Sequence, residues 1–178
     1  MDNKLFMFVW VVGALILAPS IGEAAPQQLY NKTIRVNWAQ SMVMKLLAEG
    51  RQITATPRFE RTIYISSAGR VFVRGHAVGQ GRTTPTRTVE RGPEQSGSST
   101  SFQGNTIVNF AQRPGDGVAT RLTISFDPSF SSCTASVNVG KSGPNPKITG
   151  IDGSPRELID VSASTPTCAI SEGNGLAQ

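Results

Sequence analysis

The chain has 178 residues, 38% of them apolar and 16% charged, with a formal net charge of +5. That size fits one ordinary domain, and the balance of apolar to charged residues excludes a largely disordered polymer. Two cysteines and one histidine exclude a disulfide-dense scaffold and a four-ligand structural zinc site built from cysteine and histidine alone.

The N-terminus reads as an export signal. Lys4 supplies a positive start, Leu5 to Ala18 is an unbroken apolar run, and Pro19 and Ser20 end it ahead of the small-residue site Gly22-Glu23-Ala24. Cleavage after Ala24 leaves residues 25–178 as one exported β domain, periplasmic or secreted. The alternative is retention of Leu5 to Gly22 as a membrane anchor, since the stretch is uncharged and just long enough to span. No later apolar stretch has that length.

After the signal the dominant period is two, which marks half-buried strands. Ile34, Val36 and Trp38 alternate with Thr33, Arg35 and Asn37, and Ser41 to Glu49, which fits neither period cleanly, is read as a continuing strand ended by Glu49-Gly50 in preference to two turns of helix. Thr62 to Gly75 is the best hairpin: Ile63-Tyr64-Ile65 enters the turn Ser66-Ser67-Ala68-Gly69 and Val71-Phe72-Val73 leaves it. From Gly79 to Gln103 the pattern lapses into Gly, Pro, Thr, Arg and Ser, which predicts a long mobile loop.

Strand signals resume at Thr106 to Phe110. A turn follows at Pro114-Gly115-Asp116-Gly117, then a strand at Ala119 to Phe126 in which Leu122, Ile124 and Phe126 share one face. Asp127-Pro128-Ser129-Phe130 connects it to Cys133 to Val139, where Cys133, Ala135, Val137 and Val139 alternate inward. Lys147 to Ile151 is a short strand candidate. Ser154-Pro155-Arg156-Glu157 has the capping-box pattern with proline at the first helical position, so one short helical turn is expected there, and residues 171–178 read as a frayed tail. The sum is an all-β fold, an antiparallel sandwich or small closed β-barrel of about seven to eight strands. In an oxidising compartment Cys133 and Cys168 are expected to form one disulfide that pins the C-terminal segment to the fold.

The charge is unevenly placed. Arg51, Arg58, Arg61, Arg70, Arg74, Arg82, Arg87 and Arg91 face only Glu60 and Glu90 within their stretch, and none of these cations is lysine. Arginine suits bidentate contact with carboxylate, phosphate or sulfate, so an anionic envelope component is the expected partner. A solvated basic face guarding strand edges is the plainer alternative. Phe59, Tyr64 and Phe72 fall inside this basic stretch and could make a stacking platform, although Tyr64 and Phe72 are also the residues a hairpin would use to cover a core. An exported protein meets little free nucleic acid, which is not the expected partner.

No catalytic constellation is legible. His76 stands alone at the exit of the hairpin, Gly-x-Ser-x-Gly is absent, and Gly75-His76-Ala77-Val78-Gly79-Gln80-Gly81-Arg82 lacks the Gly-Lys-Ser/Thr of a phosphate loop. A non-enzymatic binding protein without metal or cofactor is therefore expected. The second candidate is a carrier of a small apolar ligand, with Ile34, Val36, Trp38, Leu122, Ile124 and Phe126 lining a cavity.

Asn31 to Trp38, Ile63 to Phe72 and Ser125 to Cys133 together resemble a group of small uncharacterised exported bacterial all-β proteins, which implies location and fold but no assigned activity. Trp38 in the first strand also resembles the tryptophan of lipocalin-like barrels. Their Gly-x-Trp is Val36-Asn37-Trp38 here, so no binding residue is carried over.

Overall fold

The structure, a computed structural model, describes residues 24–79, 82–83, 87–90, 98–112, 117–150 and 153–176. The expected signal, but for Ala24, lies outside the described residues, as do Pro114 to Asp116 of the expected turn. No helix among the described residues is long and apolar enough to cross a membrane.

Among the described residues a single 3-10 turn, Gln27–Leu29, precedes thirteen strands: β1 (Lys32–Leu46), β2 (Gln52–Ala55), β3 (Arg58–Ile65), β4 (Val71–Gly79), β5 (Arg82–Thr83), β6 (Arg87–Glu90), β7 (Ser98–Gln103), β8 (Thr106–Ala111), β9 (Val118–Phe126), β10 (Cys133–Lys141), β11 (Lys147–Thr149), β12 (Pro155–Ala163) and β13 (Thr167–Glu172). The all-β architecture expected from the alternation is what forms. The strand number exceeds seven or eight partly because long ribbons are interrupted. β2 and β3 follow β1 in one continuous register, from Lys45↔Gln52 to Lys32↔Ile65, and are separated only at Thr56 and Pro57. β12 and β13 run along the opposite edge of β1 and are separated at Ser164 to Pro166.

Both interruptions fall beside the middle of β1, and each contains a proline, which has no N–H to give a ladder. The freed backbone groups find other partners. Gln40 N donates to Pro57 O at 3.0 Å, Ala39 N to Ser164 Oγ at 2.9 Å and Ser164 N to Ala39 O at 2.8 Å.

The larger sheet runs β11-β12-β1-β3-β4-β5, with β13 and β2 also on β1 and β6 also on β4, and it is curled like half a barrel. β7 to β10 form a separate four-stranded meander in the order β10-β9-β8-β7. Ile34, Val36, Trp38, Ile63, Ile65 and Val71 of the curled sheet pack against Phe102, Ile107, Leu122, Ile124 and Phe126 of the meander in one core. Ala25 and Leu29 from the N-terminal turn join it. β10 lies against β12 and β13 on one side, and the Cys133–Cys168 disulfide, with Cα atoms 5.8 Å apart, ties the two sheets together there.

The β3–β4 hairpin forms as its pattern predicts. Gly69 takes φ +74° in the turn and packs so closely beneath Tyr30 that a Cβ would sit 2.6 Å from the Tyr30 hydroxyl oxygen. Three expectations fail. Residues 154–159 form no helical turn: β12 starts at Pro155, where a strand tolerates proline, and pairs with β1 so that Arg156 and Leu158 are buried beside Leu46 and Met44. Ser154 Oγ, the apparent cap, instead accepts from Arg156 Nε at 3.2 Å. Of the stretch 79–103, residues 82–83, 87–90 and 98–103 form β5, β6 and β7, because the free edge of β4 and a partner in β8 recruit segments with little alternation of their own, while 80–81, 84–86 and 91–97 lie outside the described residues. Residues 171–176 of the expected frayed tail are ordered: β13 extends to Glu172, and Gly175 is buried, while 177–178 lie outside the described residues.

The disulfide spans 35 residues of sequence, for which loss of loop-closure entropy predicts an upper contribution of about 3.5 to 4 kcal/mol. Replacing Cys133 and Cys168 together by alanine should lower the melting temperature by about 10 °C, read by calorimetry on the oxidised wild type and the double variant.

Candidate anion-binding face

Residues directly opposite each other in an antiparallel pair lie on the same side of the sheet, so the registers of β1, β3 and β4 sort the site. One face carries the rows Ile34–Ile63–Val73, Val36–Arg61–Gly75 and Trp38–Phe59–Ala77. The other carries Thr33–Tyr64–Phe72, Arg35–Thr62–Arg74 and Asn37–Glu60–His76. The first is the core side.

That sorting divides the arginines. Arg61 lies on the core side, where its guanidinium extends over Gly75, with Nη1 3.2 Å from the place a Cβ would occupy. Arg74 lies on the outer side, and Arg58, in register with Ala39, is exposed beyond the Glu60 row. Arg70 sits in the hairpin turn with its guanidinium 5.6 Å from the centre of the Phe72 ring. Arg51 is distant from all of these, in the turn between β1 and β2, where it bridges Glu49 at 3.2 Å. The backbones of Arg82 and Arg87 stand in register with Gly79 and Gly75, and Arg91 lies outside the described residues.

Arg70 and Arg74 thus share the outer face with two aromatic rings. Tyr64 and Phe72 stack with centroids 6.1 Å apart and planes inclined at 24°. They are half-buried and turn away from the core; of the two roles open to them in sequence, covering that core is ruled out. The Tyr64 hydroxyl donates to Asn31 Oδ1 at 3.4 Å. Arg35 belongs to the same face through its register with Thr62.

Against known protein families, curated proteins and solved structures, the chain has no match.

Arg35, Tyr64 and Phe72 complete a face that the arginine count alone did not outline. The missing signal was parity. Tyr64 is two residues from Thr62, and Phe72 two from Arg74, so each shares its neighbour's face; Arg61, one residue from Thr62, must face the other way.

The six residues expected to line an apolar cavity, Ile34, Val36, Trp38, Leu122, Ile124 and Phe126, are all 5% exposed or less and belong to the core between the sheets. Trp38 stacks on Phe59 at 5.5 Å, and its indole Nε1 is buried with no hydrogen-bond partner. His76 is half-buried in the Asn37–Glu60 row. Among the described residues no group of three His, Cys, Asp or Glu side chains could hold a metal ion.

One carboxylate is strongly perturbed. Asp127, between β9 and β10, accepts hydrogen bonds from the Ser129 hydroxyl, from Ser132 N and Ser131 N at 2.8 Å each, and from Ser131 Oγ at 3.0 Å. The Ser129 hydroxyl, then the Ser132 amide, hold its carboxyl far below the usual carboxylate range. Every donor belongs to the same turn, so the arrangement is a capped connection. It holds Phe130 at φ +55° with its ring against Phe126.

A depressed carboxyl pKa contributes stability that is present above the unfolded-state value of about 3.9 and is lost as pH falls below it. Wild-type stability should therefore decline between about pH 5 and pH 2, and Asp127→Asn should show a shallower decline with lower stability at pH 7, measured by urea unfolding across pH.

Proposed function

We propose that the chain is an exported, non-enzymatic binding protein whose outer β3–β4 face takes an anionic envelope polymer bearing carboxylate or phosphate groups. The observation that carries this is the Tyr64–Phe72 stack on the outer side of the sheet, with Arg70 over the Phe72 ring and Arg74 in the next row. Folding normally buries aromatic surface of this kind. Rings left outside a core and flanked by guanidinium groups suit a ligand with flat apolar patches and regularly spaced negative charge, as a polysaccharide of uronic acids has. Arginine adds planar, forked donors that match carboxylate and phosphate oxygens.

Export is part of the proposal. The signal pattern at residues 1–24 motivates it, and the Cys133–Cys168 bridge suits an oxidising compartment outside the cytosol. In that setting a basic face meets charged cell-wall and surface polymers more often than nucleic acid.

Binding should be electrostatic at long range and aromatic at contact. Titration of polygalacturonate, with neutral dextran as control, should give an affinity that falls steeply between low and physiological salt. Neutralising Arg70, Arg74 and Arg82 together with glutamine should abolish it. Phe72→Ala should weaken it several-fold, in line with the loss of one half-buried outer-face aromatic and its cation-π contact, worth about 1 kcal/mol. Equal affinity in the triple variant, or equal binding to dextran, would reject the proposal.

A further inference from the structure

The chain leaves β13 at Gly173, which takes φ +80°, and then crosses the outer face of the curled sheet. Gly173 N donates to Asn31 O at 2.6 Å. Thr33 Oγ1 donates to Gly173 O at 2.6 Å and accepts from Gly175 N at 2.8 Å. Arg35 Nη2 donates to Gly175 O at 3.2 Å, and Arg74 Nη1 donates to Leu176 O at 3.1 Å. Residues 173–176 therefore run beside Thr33 and Arg35 of β1 and end within reach of the Arg74 side chain of β4.

The cover is tight. Thr33 and Thr62 are 0% and 1% exposed although they belong to the outer rows. Gly175 has no room for a side chain, because a Cβ would lie 2.8 Å from both Arg35 Nη2 and Thr33 Cγ2. Yet the hold is chemically modest. The segment contributes two glycines, one asparagine and one leucine, and its carbonyls are neutral acceptors. A carboxylate or phosphate oxygen on the same guanidinium groups forms charge-assisted bonds roughly twice as strong. A polymer offering such oxygens therefore competes with the segment for the same guanidinium donors.

We infer that the row Arg35–Thr62–Arg74 is a second anion-binding groove continuous with the Tyr64–Phe72 platform, and that residues 173–176 occupy it as a strap which the incoming polymer displaces. The inference rests on the polyanion reading and deepens it, since it makes the strap a built-in competitor. With the strap in place only the platform and Arg70 meet the ligand. With it released, Arg35 and Arg74 turn their donors to successive anionic groups of an extended chain lying across the strands. The apparent affinity of the closed protein is lowered by the fraction of molecules in which the groove is open.

The test uses the full chain and polygalacturonate at low salt. Thr33→Val keeps the strand-compatible shape of residue 33 but removes both of its hydrogen bonds to the strap. Gly175→Val instead forces the strap off by contact with Arg35 and Thr33. Each variant should bind the polymer on the order of tenfold more tightly than wild type, as expected for removal of one or two net hydrogen bonds from the competitor. In the wild type, added polymer should accelerate hydrogen exchange at the Gly173 and Gly175 amides. Unchanged Trp38 fluorescence would identify variants whose core is intact. Equal affinity in all three proteins, with the two amides still protected in the complex, overturns the strap and leaves the polymer proposal standing. Absence of binding in all three overturns the polymer proposal and this inference with it. Binding by the variants alone supports both.

Discussion

The pairing of β1 on both of its edges is the constraint from which the remaining structure follows. Fifteen residues, Lys32 to Leu46, are matched by β3 and β2 on one side and by β13 and β12 on the other. Strands usually run about three to ten residues, so β1 is unusually long. Here both neighbours yield, at Thr56-Pro57 and Ser164 to Pro166, and their displaced backbone groups are met by Gln40 N and by the Ala39–Ser164 exchange. The central strand thus stays continuous while its partners change direction beside it, and the backbone groups freed at the two breaks stay paired as the sheet curls around the core.

Register then carries information from β1 outward. Ile34, Val36 and Trp38 face the core, so Ile63 and Ile65, followed by Val71 and Val73, must face it as well. The same rule sends Thr33, Arg35, Tyr64, Phe72 and Arg74 to the opposite side. A slip of one residue would exchange the two sets, bury the aromatic-arginine face and expose the core. The outer face is consequently as strongly specified as the hydrophobic interior, although few of its own contacts hold it in place. Arg61 is the exception that shows the cost of strict alternation. Its parity places a guanidinium on the core side, and Gly75 opposite provides the space it occupies.

Much of this was legible in the chain. Ile34 to Trp38, the Ile63 to Val73 hairpin and Leu122 to Phe126 announce themselves by clean alternation, and Gly69 sits where a turn needs positive φ. The failures share one cause, which is competition between a local signal and a distant partner. Ser154-Pro155-Arg156-Glu157 is a sound opening for a helix when judged over four residues. The free second half of β1, more than a hundred residues earlier, gives Leu158 a buried place opposite Met44 and converts the segment to strand. Likewise the polar residues 171–176 carry no hydrophobic pattern, and only the folded sheet brings Thr33, Arg35 and Arg74 into position to hold them. The eight arginines were visible as a count, whereas the division of Arg51, Arg61 and Arg74 among a remote turn and the two faces of the sheet depended on register.

The amino-acid sequence by itself determined the fold class, the inward residues of the best strands, the hairpin turn and the two cysteines able to bridge. Those properties arise from period-two alternation, backbone preference and composition, which act over a few neighbouring residues. The tertiary structure alone decided which strands became partners of β1, where its flanking ribbons broke, which arginines met Tyr64 and Phe72, and how residues 173–176 came to lie over Thr33. Each of those outcomes joins segments far apart in the chain, and the free energy that selects them appears only when the two sheets close on a common core.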